Sequence, residues 1–459
     1  MNNPTNARIA APLPALASPV AGSRVPALRL CLALAIALGA LLATPARADL
    51  QVLITKGVTD PIPIAIVPFA HAVPADGGFD VAAVVQHDLE SSGRFRPMQR
   101  RDMLTTPSSA NDVQAADWKA AGNDYVVVGR VTAGSGGELD VDCDLINIQT
   151  GTRVASQKFL ANAASLRNAA HLVSDFVYGK VLGVRGAFAT RIAYVAVQGK
   201  PPTRRFQLIV ADADGENPKV ILESLQPIMS PAWSPDEQWL AYVSFENRLS
   251  GVYVQKVHTG ERQLVSARVG VNGAPAYSPD GTHLALTLSG ANGNLDVWLL
   301  DLATQGLTRL TDDPAVDTEP AWSPDGKSIY FTSDRAGGPQ IYKLDISQPK
   351  RIERITFGSA YNARPRVSPD GKKLAFVTRE GGNYRIAIQD LASGTVSVLS
   401  HGALDESPSF APNGAVVIYA GREGDVGTLQ TVSVDGLVTQ RLKSDQGELR
   451  EPVWGPFPR

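Results

Sequence analysis

Acidic side chains cluster at two places in the sequence where they could hold a metal ion. Asp140, Asp142 and Asp144 alternate along one predicted strand, and residues 212–215, DADG, faintly resemble the start of a calcium loop. Alternating acids are typical of the solvated face of a half-buried strand, and the second segment lacks further ligands at the required spacing. We therefore predict no metal site and interpret residues 212–215 as a turn.

Short signatures of catalysis are absent from the sequence. It contains no Gly-x-Ser-x-Gly nucleophile turn, no phosphate-binding P-loop and no HExxH pair among its six scattered histidines. Residues 134–137, GSGG, are predicted to form a hairpin turn. The sequence therefore predicts a protein that is not an enzyme, with no catalytic residue and no cofactor.

Composition narrows the class of partner. The 459 residues have a formal net charge of −2, and no stretch combines clustered lysine and arginine with aromatic residues. Nucleic acid is not an expected partner, because phosphate binding needs a concentrated basic surface. The chain is longer than one ordinary hydrophobic core requires, which favours two domains.

The first 48 residues have the pattern of an export signal. Arg24 and Arg29 precede an apolar run over residues 30–43, and residues 46–48, ARA, supply the small side chains of a cleavage site. The run is shorter than the about 20 residues that span a bilayer as a helix. We predict a cleaved signal peptide over 1–48, a periplasmic location and a mature chain without a transmembrane segment; a retained membrane anchor is the alternative.

A segment of 43–45 residues is repeated through the second half of the chain. The copies begin with Pro-x-Trp-Ser-Pro-Asp-Gly or a variant of it, at Pro231, Pro275, Pro320, Pro365, Pro408 and Pro452. Proline sets φ for the first turn position, aspartate bonds to the local backbone and glycine accepts positive φ, so each motif predicts a tight hairpin. Four short strands in about 44 residues are typical of one β-propeller blade.

The two ends of the repeated region complete each other. Residues 192–195, IAYV, match the second strand of a repeat, whereas the copy at Pro452 has only a first strand, which contains Val453 and Trp454. Pairing these segments closes the ring and leaves no exposed sheet edge. We predict an all-β, six-bladed propeller over residues 189–459, in which the C-terminal strand pairs with the N-terminal propeller strand.

Residues 49–188 do not repeat, and strand and helix patterns alternate along them. Residues 62–69, IPIAIVPF, predict a buried strand, and residues 81–89 place apolar side chains at helical spacing. Ser165 precedes a second apolar stripe with helical spacing. The sequence therefore predicts a small α/β domain in front of the propeller.

In this order of parts the chain resembles the TolB family, the periplasmic proteins of the Tol–Pal cell-envelope system. The resemblance covers residues 49–459 and rests on the strand 62–69, on residues 122–129 (GNDYVVVG) and 186–195 (GAFATRIAYV), and on the repeats. It implies a non-catalytic scaffold, expected to be a monomer, that docks the lipoprotein Pal on its propeller and TolA through its mature N-terminus. It also implies a role in outer-membrane integrity and in invagination during cell division, with other envelope proteins and toxins as further partners.

The resemblance and the variable loops together predict two contact sites. Loops that lead into the first strand of each blade differ between repeats while the framework does not, so their polar residues are expected to ring the channel mouth. The residues predicted to face Pal are Asn272, Gly273, Asp317, Thr318, Glu319, Asn362, Arg364, Asp405, Glu406, Arg450 and Glu451. Those predicted to face TolA lie in the segment 49–60 and are Asp49, Leu50, Val52, Ile54 and Val58.

Other interpretations of the same residues stay open. The loops could be ordinary solvated loops, and the segment 49–60 could form the first strand of its own domain instead of adding to a partner's sheet. Glu319 and Glu451 could hold a cation or small ligand in the tunnel, because open channel mouths also suit small ligands. A propeller can also gate a hydrolase, although the sequence lacks a hydrolase nucleophile.

Overall fold

The chain folds into an α/β domain followed by a ring of β-sheets. The structure, a computed structural model, describes residues 60–71, 79–424, 426–442 and 447–458. The helices and strands of the α/β domain are β1 (Ile62–Ile66), β2 (Ala70–His71), α1 (Val81–Ser91), β3 (Phe95–Pro97), α2 (Ala115–Ala120), β4 (Tyr125–Ala133), β5 (Leu139–Asn147), β6 (Thr152–Ala161) and α3 (Leu166–Leu182). The sheet order is β3-β1-β4-β5-β6, with β2 also paired to β4.

Apolar periodicity determines how the α/β domain packs. Val85 of α1 and Val177 of α3 are buried against Ile64 of the sheet, and Trp118 of α2 belongs to a second apolar cluster with other residues of the sheet. On β5 the apolar residues face the core, as expected for an alternating strand. The alternating acids point the other way and form the ion pairs Asp140–Lys158 (2.6 Å), Asp142–Arg130 (3.1 Å) and Asp144–Arg153 (3.4 Å).

The remaining strands form six four-stranded blades, which confirms the predicted count. Blade 1 contains β10 (Ile228–Trp233), β11 (Trp239–Ser244), β12 (Gly251–Lys256) and β13 (Arg262–Ser266); blade 2 contains β14 (Asn272–Tyr277), β15 (His283–Ser289), β16 (Leu295–Asp301) and β17 (Leu307–Arg309). Blade 3 contains β18 (Asp317–Trp322), β19 (Ser328–Ser333), β20 (Gln340–Asp345) and β21 (Gln348–Arg354); blade 4 contains β22 (Asn362–Val367), β23 (Lys373–Glu380), β24 (Asn383–Asp390) and β25 (Val396–Val398). Blade 5 contains β26 (Glu406–Phe410), β27 (Val416–Glu423), β28 (Val426–Ser433) and β29 (Thr439–Leu442); blade 6 contains β30 (Glu448–Trp454), β7 (Arg191–Gln198), β8 (Arg205–Asp212) and β9 (Lys219–Ser224).

Blade 6 combines strands from both ends of the propeller, as predicted. β30 lies antiparallel to β7, with Val453 opposite Ala193 and Trp454 opposite Ile192. The Trp454 indole Nε1–H donates to Thr190 Oγ1 at 2.8 Å, and its backbone N–H donates to Ser409 Oγ of blade 5 at 3.0 Å. The tail therefore joins its neighbours through main-chain and side-chain hydrogen bonds, and the ring closes without a free inner edge.

One blade departs from the shared hairpin turn. Where four other repeats have glycine, blade 1 has Glu237, which adopts a left-handed φ of 62°. Such a conformation costs a non-glycine residue about 1 kcal/mol or more. The Glu237 carboxylate accepts a hydrogen bond from Arg191 Nε of blade 6 at 2.6 Å, and the Arg191 guanidinium lies 5.2 Å from the Trp233 ring centre. The glutamate thus links blade 1 to the closing blade, which offsets the strain.

The connection from α3 to β7 is fixed by Asp175. Its carboxylate accepts hydrogen bonds from the backbone N–H of Phe188 at 2.8 Å and of Ala189 at 3.4 Å. Gly186 passes so close that a Cβ there would lie 2.4 Å from Asp175 Oδ1, so only glycine fits without a shift. Burial raises the pKa of Asp175 to about 6, against the opposing effect of these hydrogen bonds.

Further contacts join the α/β domain to blade 5. Arg94 pairs with Asp435 at 2.5 Å, and Gln440 Nε2 donates to the backbone carbonyl of Ser91. No helix in the described part of the chain has both the length and the apolar character needed to cross a membrane. The domain limits predicted at residues 48 and 188 stay predictions.

Candidate functional site

In every blade the residue before the repeat proline lines the channel mouth. These mouth residues are Ser230, Ala274, Glu319, Arg364, Ser407 and Glu451. All six have a left-handed φ between 45° and 57°, and the pairing register shifts beside each of them. A bulge of this kind re-aims a side chain, so the repeated backbone strain points six positions at one opening.

Arg364 is the hub of the mouth residues. Its Nε lies 2.9 Å from Glu319 Oε1, its Nη1 donates to Ser407 Oγ, and its Nη2 lies 3.7 Å from Glu451 Oε1. Glu451 also accepts a hydrogen bond from the backbone N–H of Ser230 at 3.0 Å. Charge-assisted contacts therefore connect five of the six mouth residues across the channel.

The pKa values of Arg364 and of its neighbour Arg366 are shifted in opposite directions. Burial alone would lower the pKa of Arg364, but Glu451 and Glu319 raise it above its ordinary value. Arg366 occupies the place that alanine takes in blades 1 to 3, and burial lowers its pKa. An arginine side chain therefore holds the two mouth carboxylates, the position that the alternative interpretation assigned to a bound cation.

Four of the residues predicted to face Pal lie inside the blades. Asn272, Asp317, Asn362 and Asp405 are at most 2% exposed. Asp317 accepts two hydrogen bonds from Arg335, at 2.8 and 2.9 Å, and Asn272 Oδ1 accepts the backbone N–H of Arg268 at 2.9 Å. The structure thus places these four side chains where they position the loops, and not on the rim where the sequence interpretation put them.

The other predicted residues lie at or next to the mouth. Glu319, Arg364 and Glu451 are mouth residues, and Gly273, Thr318, Glu406 and Arg450 immediately precede mouth residues of their own blades. These seven residues are all partly or fully exposed. Arg450 pairs with Glu448 at 2.7 Å. The contact of this group with Pal stays a prediction.

Exposed apolar side chains accompany these polar residues, and the sequence interpretation missed them. They lie in the loops that lead into blades 1 to 4 and are Leu225 (62% exposed), Val269 (93%), Val271 (43%), Val316 (39%) and Phe357 (65%). Removal of such exposed apolar side chains from water favours the binding of a partner. The available signal was the presence of large apolar residues in otherwise polar loops. We call these five residues the apolar rim.

The segment predicted to contact TolA cannot be placed in the same way. Asp49, Leu50, Val52, Ile54 and Val58 lie outside the described residues. Their role stays a prediction.

Comparisons with known proteins agree with the architecture. The model of the TolB beta propeller domain matches residues 178–458, and that of the TolB amino-terminal domain matches residues 50–154. The chain belongs to the TolB family. This membership makes it a protein of the Tol–Pal system, whose TolB components are periplasmic parts of the cell envelope.

Relatives in the TolB family match over most of their length. The Tol-Pal system protein TolB of Alcanivorax borkumensis is 49% identical over 413 residues, which cover 90% of this chain and 94% of the relative. The protein of the same name from Methylococcus capsulatus is 50% identical over 409 residues, covering 89% and 95%. The crystal structure of TolB from Acinetobacter baumannii is 42% identical, with a TM-score of 0.81 over 89% of this chain and all of that one.

Proposed function

We propose that this protein is a non-catalytic periplasmic scaffold that docks Pal at the channel mouth and TolA through the segment 49–60. In this role it supports outer-membrane integrity and invagination during cell division. TolB family membership supports the envelope context, and the arrangement of the mouth residues supports the position of the Pal contact.

The connected mouth residues are the observation that carries the proposal for Pal. Because Glu319, Arg364 and Glu451 already hold one another, their side chains lose little conformational freedom when a partner binds. The apolar rim adds surface that gains from removal from water. A central polar cluster with apolar surface beside it suits a folded protein that inserts a loop into the channel.

Isothermal titration of the chain from residue 49 onward with a soluble Pal domain tests this proposal. We expect Glu319→Ala and Thr318→Ala to weaken binding, with Glu319→Ala the stronger at about 10-fold or more, because it leaves a positive charge unpaired at the centre of the contact. Glu353→Ala is the matched control, because Glu353 is an exposed acid on the outer strand of the same blade. Equal affinities for all three variants and the unaltered chain would exclude the mouth as the Pal site.

A deletion separates the two proposed contacts. Removal of residues 49–60 is expected to abolish TolA binding and to leave the Pal affinity unchanged, because the mouth residues belong to the propeller alone. TolA affinity that survives the deletion would refute the role of this segment without affecting the proposal for Pal.

A further inference from the structure

A buried histidine lies among three carboxylates where the α/β domain meets blade 6. His171 of α3 has a side chain only 3% exposed. Its Nδ1 lies 2.8 Å from Asp88 Oδ2 of α1, and the same oxygen accepts a hydrogen bond from Ser174 Oγ at 2.6 Å. Asp212 and Asp214, at the turn between β8 and β9, approach the other side of the ring. The cluster therefore combines residues of both domains.

The second ring nitrogen of His171 is not used by any described residue. Nε2 is buried without a hydrogen-bond partner, and the nearest acidic oxygens are Asp214 Oδ2 at 3.9 Å and Asp212 Oδ2 at 4.0 Å. Both distances are too long for a hydrogen bond. Because Asp88 holds Nδ1, Nε2 is the atom that points at the two propeller carboxylates. A carboxylate behind a histidine is the usual second shell of a metal-binding imidazole.

Charge also favours a cation at this point. Arg167 lies 3.3 Å from Asp212 through Nε and contacts Asp214 through Nη2, but one guanidinium does not neutralise three carboxylates. The excess negative charge that remains attracts a cation. A divalent ion in place of the Nε2 proton would leave the cluster with no net charge.

We propose that His171 Nε2, Asp212 and Asp214 bind a divalent cation of the zinc type, which joins the α/β domain to blade 6. One nitrogen and two carboxylate oxygens suit zinc, which binds such atoms at about 2.0–2.2 Å and accepts water as a fourth ligand. Nε2 lies 3.9 Å from Asp214 Oδ2 and 4.0 Å from Asp212 Oδ2, which is close to the spacing of two ligand atoms on one zinc ion. A cleft lined by His87, Asp88, Asp214 and Phe188 lies beside the cluster. The proposal does not depend on Pal docking.

Titration of the metal-free chain from residue 49 onward with zinc chloride tests the proposal. We expect one zinc ion per chain and a raised melting temperature, because an ion that binds only the folded state stabilises it. His171→Asn keeps an N–H donor for Asp88 but lacks Nε2, so zinc affinity should fall about 100-fold; Asp214→Asn should lower it about 10-fold. His283→Asn and Asp140→Asn are matched controls at a half-buried histidine of blade 2 and at an acid of the α/β domain, and both should bind zinc normally.

Two further measurements keep the test decisive if a variant folds poorly. Cobalt(II) bound to the unaltered chain should give the visible absorption of a tetrahedral site, which zinc should displace. Arg167→Gln should bind zinc more tightly, because it removes a competing cation from Asp212 and Asp214. Zinc affinity that is undetectable in the unaltered chain, or that is equal in the unaltered chain and in folded His171→Asn, overturns the proposal.

Discussion

The channel mouth and the contact between the two domains both hold charged side chains in fixed positions, but they do so in different ways. At the mouth, one backbone position is repeated six times, and only its side chains differ. The domain contact uses four side chains that have no repeated counterpart: Asp88, Arg167, His171 and Asp175. They lie on α1 and α3, which pack against turns of blades 5 and 6 and against the connection to β7. The repeated backbone conformation of the mouth residues accepts different side chains, whereas the domain contact depends on the identity of each side chain.

Loss of the hub arginine should have the largest effect. Arg364→Ala leaves Glu319 and Glu451 facing the channel without their cation, and we expect the free energy of unfolding to fall by about 3 kcal/mol. Urea unfolding followed by tryptophan fluorescence measures the loss. Arg441→Ala is the control, since its exposed pair with Glu423 should contribute less than about 1 kcal/mol. Equal losses would show that the mouth network does not stabilise the ring.

Asp88→Asn tests the domain contact by comparison. Asp88 is 2% exposed and binds both His171 and Ser174, so the neutral amide should cost about 2 kcal/mol of unfolding free energy. Asp435→Asn removes the more exposed pair with Arg94 and should cost less than about 1 kcal/mol. If the two variants unfold at the same urea concentration, the buried cluster has no special part in holding the domains together.

The carboxylate of Asp175, which holds the connection from α3 to β7, should make the stability of the fold depend on pH. The pKa of Asp175 in the folded chain, about 6, exceeds the ordinary value of 3.8, so the folded state binds the proton more tightly. The resulting stabilisation is complete below about pH 4 and is lost as pH rises through 6. Asp175→Asn should flatten this slope, a change of about 2 kcal/mol between pH 4 and 7. Identical pH profiles of thermal unfolding for the two chains would contradict the assignment.

Changes in the apolar rim should have the smallest effect on the free energy of unfolding, but they should lower the affinity for Pal. Phe357→Ser replaces a side chain that is 65% exposed, so unfolding should change by no more than about 0.5 kcal/mol. The Pal affinity should fall several-fold, which titration calorimetry can measure. Val220→Ser, at an exposed valine of β9 on the outside of blade 6, is the control for loss of apolar surface. If the two serine variants bind Pal equally well, the apolar rim is not part of the contact.

The blades could be predicted well from the sequence because each hairpin is determined by residues that are close together in the chain. Proline, aspartate and glycine dictate each hairpin within a few residues, and the unmatched segments at Ile192 and Trp454 were sufficient to predict closure. The mouth residues were only partly predictable. Asn272 and Asp317 look like surface loop residues in the sequence, yet neighbouring side chains bury them, and burial depends on contacts that no local pattern encodes.

The histidine cluster shows the same limit more strongly. His171 and Asp88 are separated by a large part of the α/β domain in sequence, and Asp214 looked like a turn residue because its neighbours have no ligand spacing. Only the packing of α1 and α3 against blade 6 brings these residues together. Ligands drawn from different domains leave no periodic signature.

The composition of blade 6 has a consequence for how the protein is made. Because most of the propeller sequence separates β7 from β30, blade 6 lacks its innermost strand until the last residues of the chain have joined the ring. A chain that ends before residue 448 lacks β30, so β7 keeps an unpaired edge that can pair with another chain. Closure of the ring therefore requires translation of the chain through Trp454.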